Sequence, residues 1–411
     1  MTLKAATDRK IRHIPGFDPD IDLYIPPDDE PDPELSIVIP ALNEERNISE
    51  FISWCKEGLR RAEIRGEILI VDSSTDSTPD LALAAGARVL RTPKRGLGRA
   101  YIDSIPYIRG KYVLMGDADC TYDFREIGPF VEKFRLGFEY IMGSRFRGFI
   151  EPRSMPPLHR YLGTPVTTWI LNVLYATRFS DIHCGMRGIT REALVRIKLC
   201  SESWEYASEL VLKSVQARLR TAEVPVRFLK DRNGRVSHHM RMGWFSPWQA
   251  AWINLRAMFV YGADFFVLRP GLGLLWTGVL LMLAVMFGPI TIGPITFSLY
   301  WMLMGLTLAV LGLQSFYLGC LAQVLNDLTG DARRRWTRLF SYTRSVGWSA
   351  GAMLAGVAAV IPLVREYTRY HLALPYEVPL QSHLAISGLF FILAGFMNFG
   401  FTLVLHAATR E

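Results

Sequence analysis

Four long stretches of this chain contain no Asp, Glu, Lys or Arg: residues 271–293, 296–324, 346–363 and 384–406. Each is near the ~20 residues that a helix needs to cross a hydrocarbon core, so they predict four transmembrane helices. Ahead of them lies a polar region of about 270 residues. This composition excludes an ordinary soluble enzyme, and uncharged spans argue against a transport pathway, which often places charge inside the membrane. Cysteine is also sparse. Cys55, Cys120, Cys184, Cys200 and Cys320 are scattered, odd in number and without CxxC spacing, which argues against a disulfide framework or zinc site and fits a reducing compartment. No apolar signal segment opens the chain. Lys and Arg exceed Asp and Glu by 46 to 39, a surplus of seven. Anionic lipid or phosphate accounts for that surplus, and no nucleic-acid partner is expected.

The loop between the second and third uncharged runs holds Arg333, Arg334, Arg335, Arg338 and Arg344. The loop after the third has Arg365 and Arg369 offset by Glu366 and Glu377. Basic loops stay cytoplasmic, and an even number of spans then places the N-terminal domain on the same face. Residues 17–34 (FDPDIDLYIPPDDEPDPE) combine proline with eight carboxylates and read as an extended lead-in unable to form a core. From Leu35, SIVIP, EILIVD, ARVL and YVLMGDAD alternate with helical patterns. That alternation predicts an α/β fold, a mostly parallel sheet with helices on both faces. Ligands of such sheets sit at the carboxyl ends of the strands.

The candidate residues fall at those ends. Pro40 to Glu45 follow the first strand, Asp72 and Asp76 the second, and Asp117 and Asp119 the last. Residues two apart in an extended chain point the same way, so Asp117 and Asp119 should face one site. Two adjacent carboxylates repel unless a cation lies near them. Hard ions such as Mg²⁺ take oxygen ligands and complete their shell with phosphate. PKRGLGRA, residues 93–100, sets Lys94, Arg95, Arg99, Gly96 and Gly98 just before a helix, a pattern suited to an anion. It is neither GxGxxG nor a P-loop, but opposite a metal-binding pair it suggests a diphosphate.

The set SIVIPALNEE, IVDSSTDST, KRGLGRA and GDADCTYD resembles family 2 glycosyltransferases of the GT-A fold, over residues 35–150. MGSRF, CGMRGI and the segment 203–239 extend the resemblance to dolichyl-phosphate and other polyprenyl-phosphate sugar synthases, over residues 35–268. The resemblance implies transfer of one sugar, with inversion, from a UDP- or GDP-sugar to a polyprenyl (dolichyl or undecaprenyl) phosphate. It implies a donor site of Pro40, Asn43, Glu44, Asp72, Asp76, Lys94, Gly96, Gly98 and Asp117. It implies Mg²⁺ or Mn²⁺ on Asp117 and Asp119. Arg145, Arg187, Glu209, Arg232 and Ser237 are implied at the acceptor phosphate or donor diphosphate, and Asp117, Asp119 and Arg145 are the expected catalytic set. Two positions depart from the pattern: Thr121 stands where Gln is frequent, and His238 where Lys is frequent. Glu205 reads as a solvated or salt-bridged helix residue, and His183, His238 and His239 lack a convincing metal spacing.

Trp244, Trp248 and Trp252 recur every fourth residue, with Leu255 and Phe259 on the same face. They predict an amphipathic helix at the membrane surface, as does the mixed segment 156–179. The domains expected are therefore an acidic segment (1–34), a GT-A domain (35–240), interfacial helices (241–270) and a four-helix membrane domain (271–411). The expected location is a prokaryotic inner membrane with the catalytic domain cytoplasmic, and a homo-oligomer is compatible with the sequence. A processive polysaccharide synthase would carry QxxRW. Here the residue three before Arg335–Trp336 is Ala332. An inactive lipid-transport module would have no reason to keep these acids and cations together.

Overall fold

A computed structural model describes residues 10–11, 18–175, 177–230, 252, 256, 259, 262, 264–327, 329–372 and 380–409. The chain divides into two units, Met1–Tyr261 and Gly262–Glu411. The first is built on a nine-stranded sheet in the order β1-β2-β5-β4-β3-β6-β8-β7-β9. The strands are β1 (Lys10–Ile11), β2 (Asp22–Tyr24), β3 (Leu35–Ala41), β4 (Gly66–Asp72), β5 (Arg88–Arg91), β6 (Tyr112–Met115), β7 (Tyr140–Ile150), β8 (Arg187–Thr190) and β9 (Thr221–Phe228). The central four, β5-β4-β3-β6, run parallel. β8 is antiparallel to both β6 and β7, and β9 is parallel to β7.

The parallel centre follows from composition. Ile37, Val38, Ile39, Leu69, Ile70, Val113 and Leu114 are fully buried, as a strand covered on both faces requires. Helix α1 (Ile48–Arg61) buries Ile48, Phe51, Ile52, Cys55 and Leu59 on one side, and the Phe51 ring meets Phe124 edge-on at 5.0 Å. The helices α2 (Thr78–Ala84), α3 (Leu97–Ser104), α4 (Gly128–Arg135), α5 (Thr164–Tyr175), α6 (Arg191–Ile197) and α7 (Tyr206–Gln216) complete the layers.

Three expectations change. The acidic lead-in does join the core: Ile21 and Leu23 are buried, and β2 pairs antiparallel with β5. Its carboxylates pair with distant arginines, Asp29 with Arg109 and Asp32 with Arg65, each at 2.8 Å. The YVLMGDAD strand stops at Met115, so Asp117 and Asp119 lie in a turn rather than on an extended face, with Cys120 at φ 59°. The first uncharged run also ends early. Its helix closes at Val285, and Ile290–Ile292 pairs with Ile295–Phe297 in a hairpin, where Pro289 and Pro294 exclude a continuing helix.

Among the described residues the second unit holds four helices long and apolar enough to cross a membrane: Phe265–Val285, Leu299–Leu325, Tyr342–Arg369 and Leu380–Ala408. They touch backbone to backbone through small residues. A Cβ on Gly278 would meet the Ala309 nitrogen at 2.3 Å, and one on Gly356 the Gly388 carbonyl at 2.5 Å.

At the strand ends opposite the candidate residues, buried Glu67 accepts from Ser36 Oγ (2.6 Å), Arg88 Nη1 (2.6 Å) and Arg109 Nε (2.7 Å). Burial pushes its carboxyl pKa up, but Arg88, Ser36 and Arg109 outweigh burial and hold it below the usual value. A folded pKa below the unfolded one means stabilisation that is present above about pH 4.3 and lost on acidification through the folded pKa. Glu67→Gln should cost about 3–5 kcal/mol near neutral pH by leaving buried guanidinium uncompensated. Its thermal midpoint should also fall less steeply below pH 4.5 than the parent's. Parallel acid profiles for the two proteins would refute this.

Candidate functional site

The ends of β3 and β4 are tied together side chain to backbone. Asn43, at φ 58°, donates its N–H to Ser74 Oγ (2.8 Å) and accepts from the Thr75 N–H (3.0 Å). Glu44 is buried, with its N–H on Thr78 Oγ1 at 2.8 Å. Asp76 accepts from the Thr78 N–H at 2.9 Å and so holds the start of α2. Pro40, at the end of β3, is half-buried. Asp72 is fully buried. Its Oδ2 takes an ion pair from Arg91 and the Ser74 N–H, whereas Oδ1 is buried without a hydrogen-bond partner among the described residues. Burial raises the Asp72 pKa, and Ser74 and Arg91 offset only part of that. An acceptor so placed is costly unless a donor reaches it.

The glycine turn has a structural reason besides anion approach. Gly96 sits at φ 120°, where a Cβ would lie 2.3 Å from the Glu202 carbonyl, and a Cβ on Gly98 would lie 2.1 Å from that of Ser201. The Arg99 N–H donates to the Glu202 carbonyl at 3.0 Å. Of the three cations, Arg95 pairs with Asp18 and Asp20, Arg99 pairs with Asp103 at 2.8 Å, and Lys94 is exposed. Glu209, fully buried in α7, faces the loop at residues 198–205 and not the glycine turn itself.

In the Asp117–Cys120 turn both carboxylates are half-buried. Asp119 Oδ1 accepts from the Thr121 N–H (3.0 Å) and hydroxyl (2.6 Å). Thr121 thereby orients the carboxylate. Asp117 Oδ2 lies beside Gly185, where a Cβ would approach it to 2.5 Å, and Gly185 N–H donates to Tyr122 Oη at 2.8 Å. Among the described residues no group of three or more His, Cys, Asp or Glu comes together for a metal. A cation on the aspartate pair would therefore need further oxygen ligands, such as those of a phosphate.

Arg145 and Arg187 are both buried and committed to protein partners. Arg145 donates Nε and Nη2 to Asp181 (2.6 and 2.8 Å) in a two-pronged pair. Arg187 donates to the carbonyls of Cys184 (2.7 Å), Ile182 (3.1 Å) and Ala207. Both thus brace residues 181–187, which bring Gly185 against Asp117. Burial pushes the His183 pKa down to about 4, so its ring is neutral at pH 7. The ring contacts Thr167 Oγ1 at 2.8 Å. Glu205 forms an ion pair with Arg256. Arg232, Ser237, His238, His239, Trp244, Trp248 and Leu255 lie outside the described residues. On α5 and the turn before it, Leu158, Tyr161, Leu162, Val166, Trp169 and Val173 form an exposed apolar stripe, and Trp252 and Phe259 are also exposed. Sequence reasoning missed Asp181, Arg91 and Lys213, whose partners lie 36, 19 and 4 residues away. Only the last spacing, i to i+4 on a helix, could have been read beforehand.

Residues 36–197 match the family described as Glycosyl transferase family 2. The chain is 34% identical over 343 residues to the low-salt glycan biosynthesis hexosyltransferase Agl6 of Haloferax volcanii, covering 83% of this chain and 80% of that protein. It is 28% identical over 203 residues to a dolichyl-phosphate hexose transferase of the same organism, covering 49% and 86%. Among solved structures, mannosyl-3-phosphoglycerate synthase from Rubrobacter xylanophilus aligns with a TM-score of 0.42 at 22% identity, covering 55% and 72%.

Burial raises the Asp181 pKa, but the Arg145 pair outweighs it and leaves the carboxyl below its usual value. Asp181→Asn leaves the Arg145 guanidinium buried against a neutral amide, a loss of about 3–5 kcal/mol. The thermal midpoint should drop by several degrees, and an unaltered midpoint would contradict this account of the pair.

Proposed function

The chain belongs to glycosyl transferase family 2, and we propose that it is a membrane-bound inverting enzyme moving one sugar from a UDP- or GDP-sugar to a polyprenyl phosphate. The observation that carries this reading is the convergence at the carboxyl ends of β4 and β6. The buried, unpartnered Asp72 Oδ1 lies at one end, and the Asp117–Asp119 turn follows the other. Asp72 suits an N–H of the donor base, within a pocket shaped by Pro40, Asn43, Glu44 and Asp76. Lys94, an exposed cation of the glycine turn, suits the diphosphate, whereas Arg95 is paired with Asp18 and Asp20. The four apolar helices and the likeness to a dolichyl-phosphate hexose transferase support a lipid acceptor.

The chemistry needs no side-chain base. A phosphate monoester has its second pKa near about 6 and is largely a dianion at pH 7. A phosphate oxygen attacks the sugar C1 in line, the bond from C1 to the donor diphosphate breaks, and its electron pair leaves on the diphosphate. No proton has to move. The aspartate pair, all oxygen donors with Asp119 already oriented by Thr121, fits Mg²⁺ or Mn²⁺, and such an ion supplies positive charge against the leaving diphosphate. Asp117 is held beside Gly185 to meet metal or sugar. Arg145 and Arg187 serve by fixing residues 181–187, and Arg232 with Ser237 would receive the acceptor phosphate. The exposed stripe of Leu158 to Val173 suits the surface of a bilayer, and the arginine-rich segment 331–344 suits its cytoplasmic side. The proposed setting is a prokaryotic inner membrane.

Asp119→Asn should lower transfer from UDP- or GDP-sugar to polyprenyl phosphate by about 10²–10³-fold, with the thermal midpoint unchanged. Turnover within a few fold of the parent's would sink the metal-binding role.

A further inference from the structure

The loop at residues 198–205, between α6 and α7, is held in an unusual way. Lys198 adopts φ 47°, and the chain then turns back over the buried carboxylate of Glu209. Both oxygens of that carboxylate take backbone amides, Cys200 N–H at 2.9 Å on Oε1 and Ser201 N–H at 2.8 Å on Oε2. Lys213, itself buried, reaches Glu209 Oε1 (2.6 Å), the Lys198 carbonyl (2.6 Å) and Cys200 Sγ (3.0 Å). A buried ion pair repays its desolvation only with such complete bonding. Here the bonding fixes a loop rather than a helix contact. The far side of that loop supplies the carbonyls of Ser201 and Glu202, which occupy the space that a side chain would need at Gly98 and Gly96.

We propose that the Glu209–Lys213 pair is a positioning device for the donor diphosphate. It fixes the 198–205 loop, and the loop's Ser201 and Glu202 carbonyls fix the backbone of the glycine turn beside Lys94. Glu209 then acts through the donor side, without touching the acceptor. This rests on the proposed nucleotide-sugar reading.

Cys200 provides a reporter, because it is exposed while Cys55, Cys120, Cys184 and Cys320 are buried. The purified full-length protein is labelled with a maleimide, with and without UDP or GDP plus Mn²⁺, and nucleotide binding is measured separately by equilibrium dialysis. The nucleotide that binds should slow Cys200 labelling several fold. Lys213→Met should weaken its binding about tenfold, equivalent to about 1.4 kcal/mol, and should remove the protection. Lys213→Arg, which keeps a cation, should retain both. A brace serving stability alone would change the thermal midpoint and leave affinity and protection untouched. Nucleotide binding with no change in wild-type labelling overturns the proposal and leaves the proposed function standing, whether or not Lys213→Met folds. Unaltered affinity in a folded Lys213→Met protein overturns it too. Failure of both nucleotides to bind overturns the function and the proposal together.

Discussion

Charge placed at the end of an apolar strand is the constraint on which the first unit depends. Burying a carboxylate costs several kcal/mol unless it is paired or hydrogen-bonded, and this sheet buries them at both ends. At the end away from the candidate site, Glu67 is fully compensated by two arginines and a serine. At the other end Asp72 keeps one buried oxygen without a hydrogen-bond partner among the described residues, and Asp117 and Asp119 share a short, half-buried turn. The same residue type therefore has two uses. Full pairing makes Glu67 part of the scaffold, and it is the partly paired Asp72 that the proposed function assigns to the donor.

A second tier of charge holds that arrangement in place. Arg145 with Asp181, Arg187 with three carbonyls, and Lys213 with Glu209 are buried and satisfied within the chain. None offers a loose cation to a substrate. Their common effect is to fix irregular backbone, residues 181–187 beside Asp117 and residues 198–205 beside the glycine turn. Irregular backbone at a cleft lacks sheet or helix ladders to hold it, so side chains must supply that rigidity.

Much of this was legible in the sequence because it follows from local periodicity. The β-branched runs of β3 and β4, the helical face of α1 and the last three uncharged runs all appear where their patterns place them, and the first run is helical up to Val285. The failures are also physical. Asp22 to Tyr24 is too short and too acidic to read as a strand, yet the edge of β5 accepts it and arginines more than 30 residues away neutralise its neighbours. The Asp117 turn was misread as extended because nothing local shows that Cys120 takes a left-handed conformation. For the glycines of 96 and 98 the sequence suggested an anion cradle and hid a second reason, one of packing. Their nearest neighbours are carbonyls about a hundred residues further along, and no spacing rule relates such segments.

The central claim concerns what is transferred and onto what. The most direct measurement offers the purified protein a panel of radiolabelled UDP- and GDP-sugars with a short polyprenyl phosphate, in Mg²⁺ or Mn²⁺ and with an EDTA control. The account predicts a lipid carrying one sugar, formed from one donor and lost on chelation. Long polymer made without the lipid, or transfer undiminished by EDTA, would contradict it.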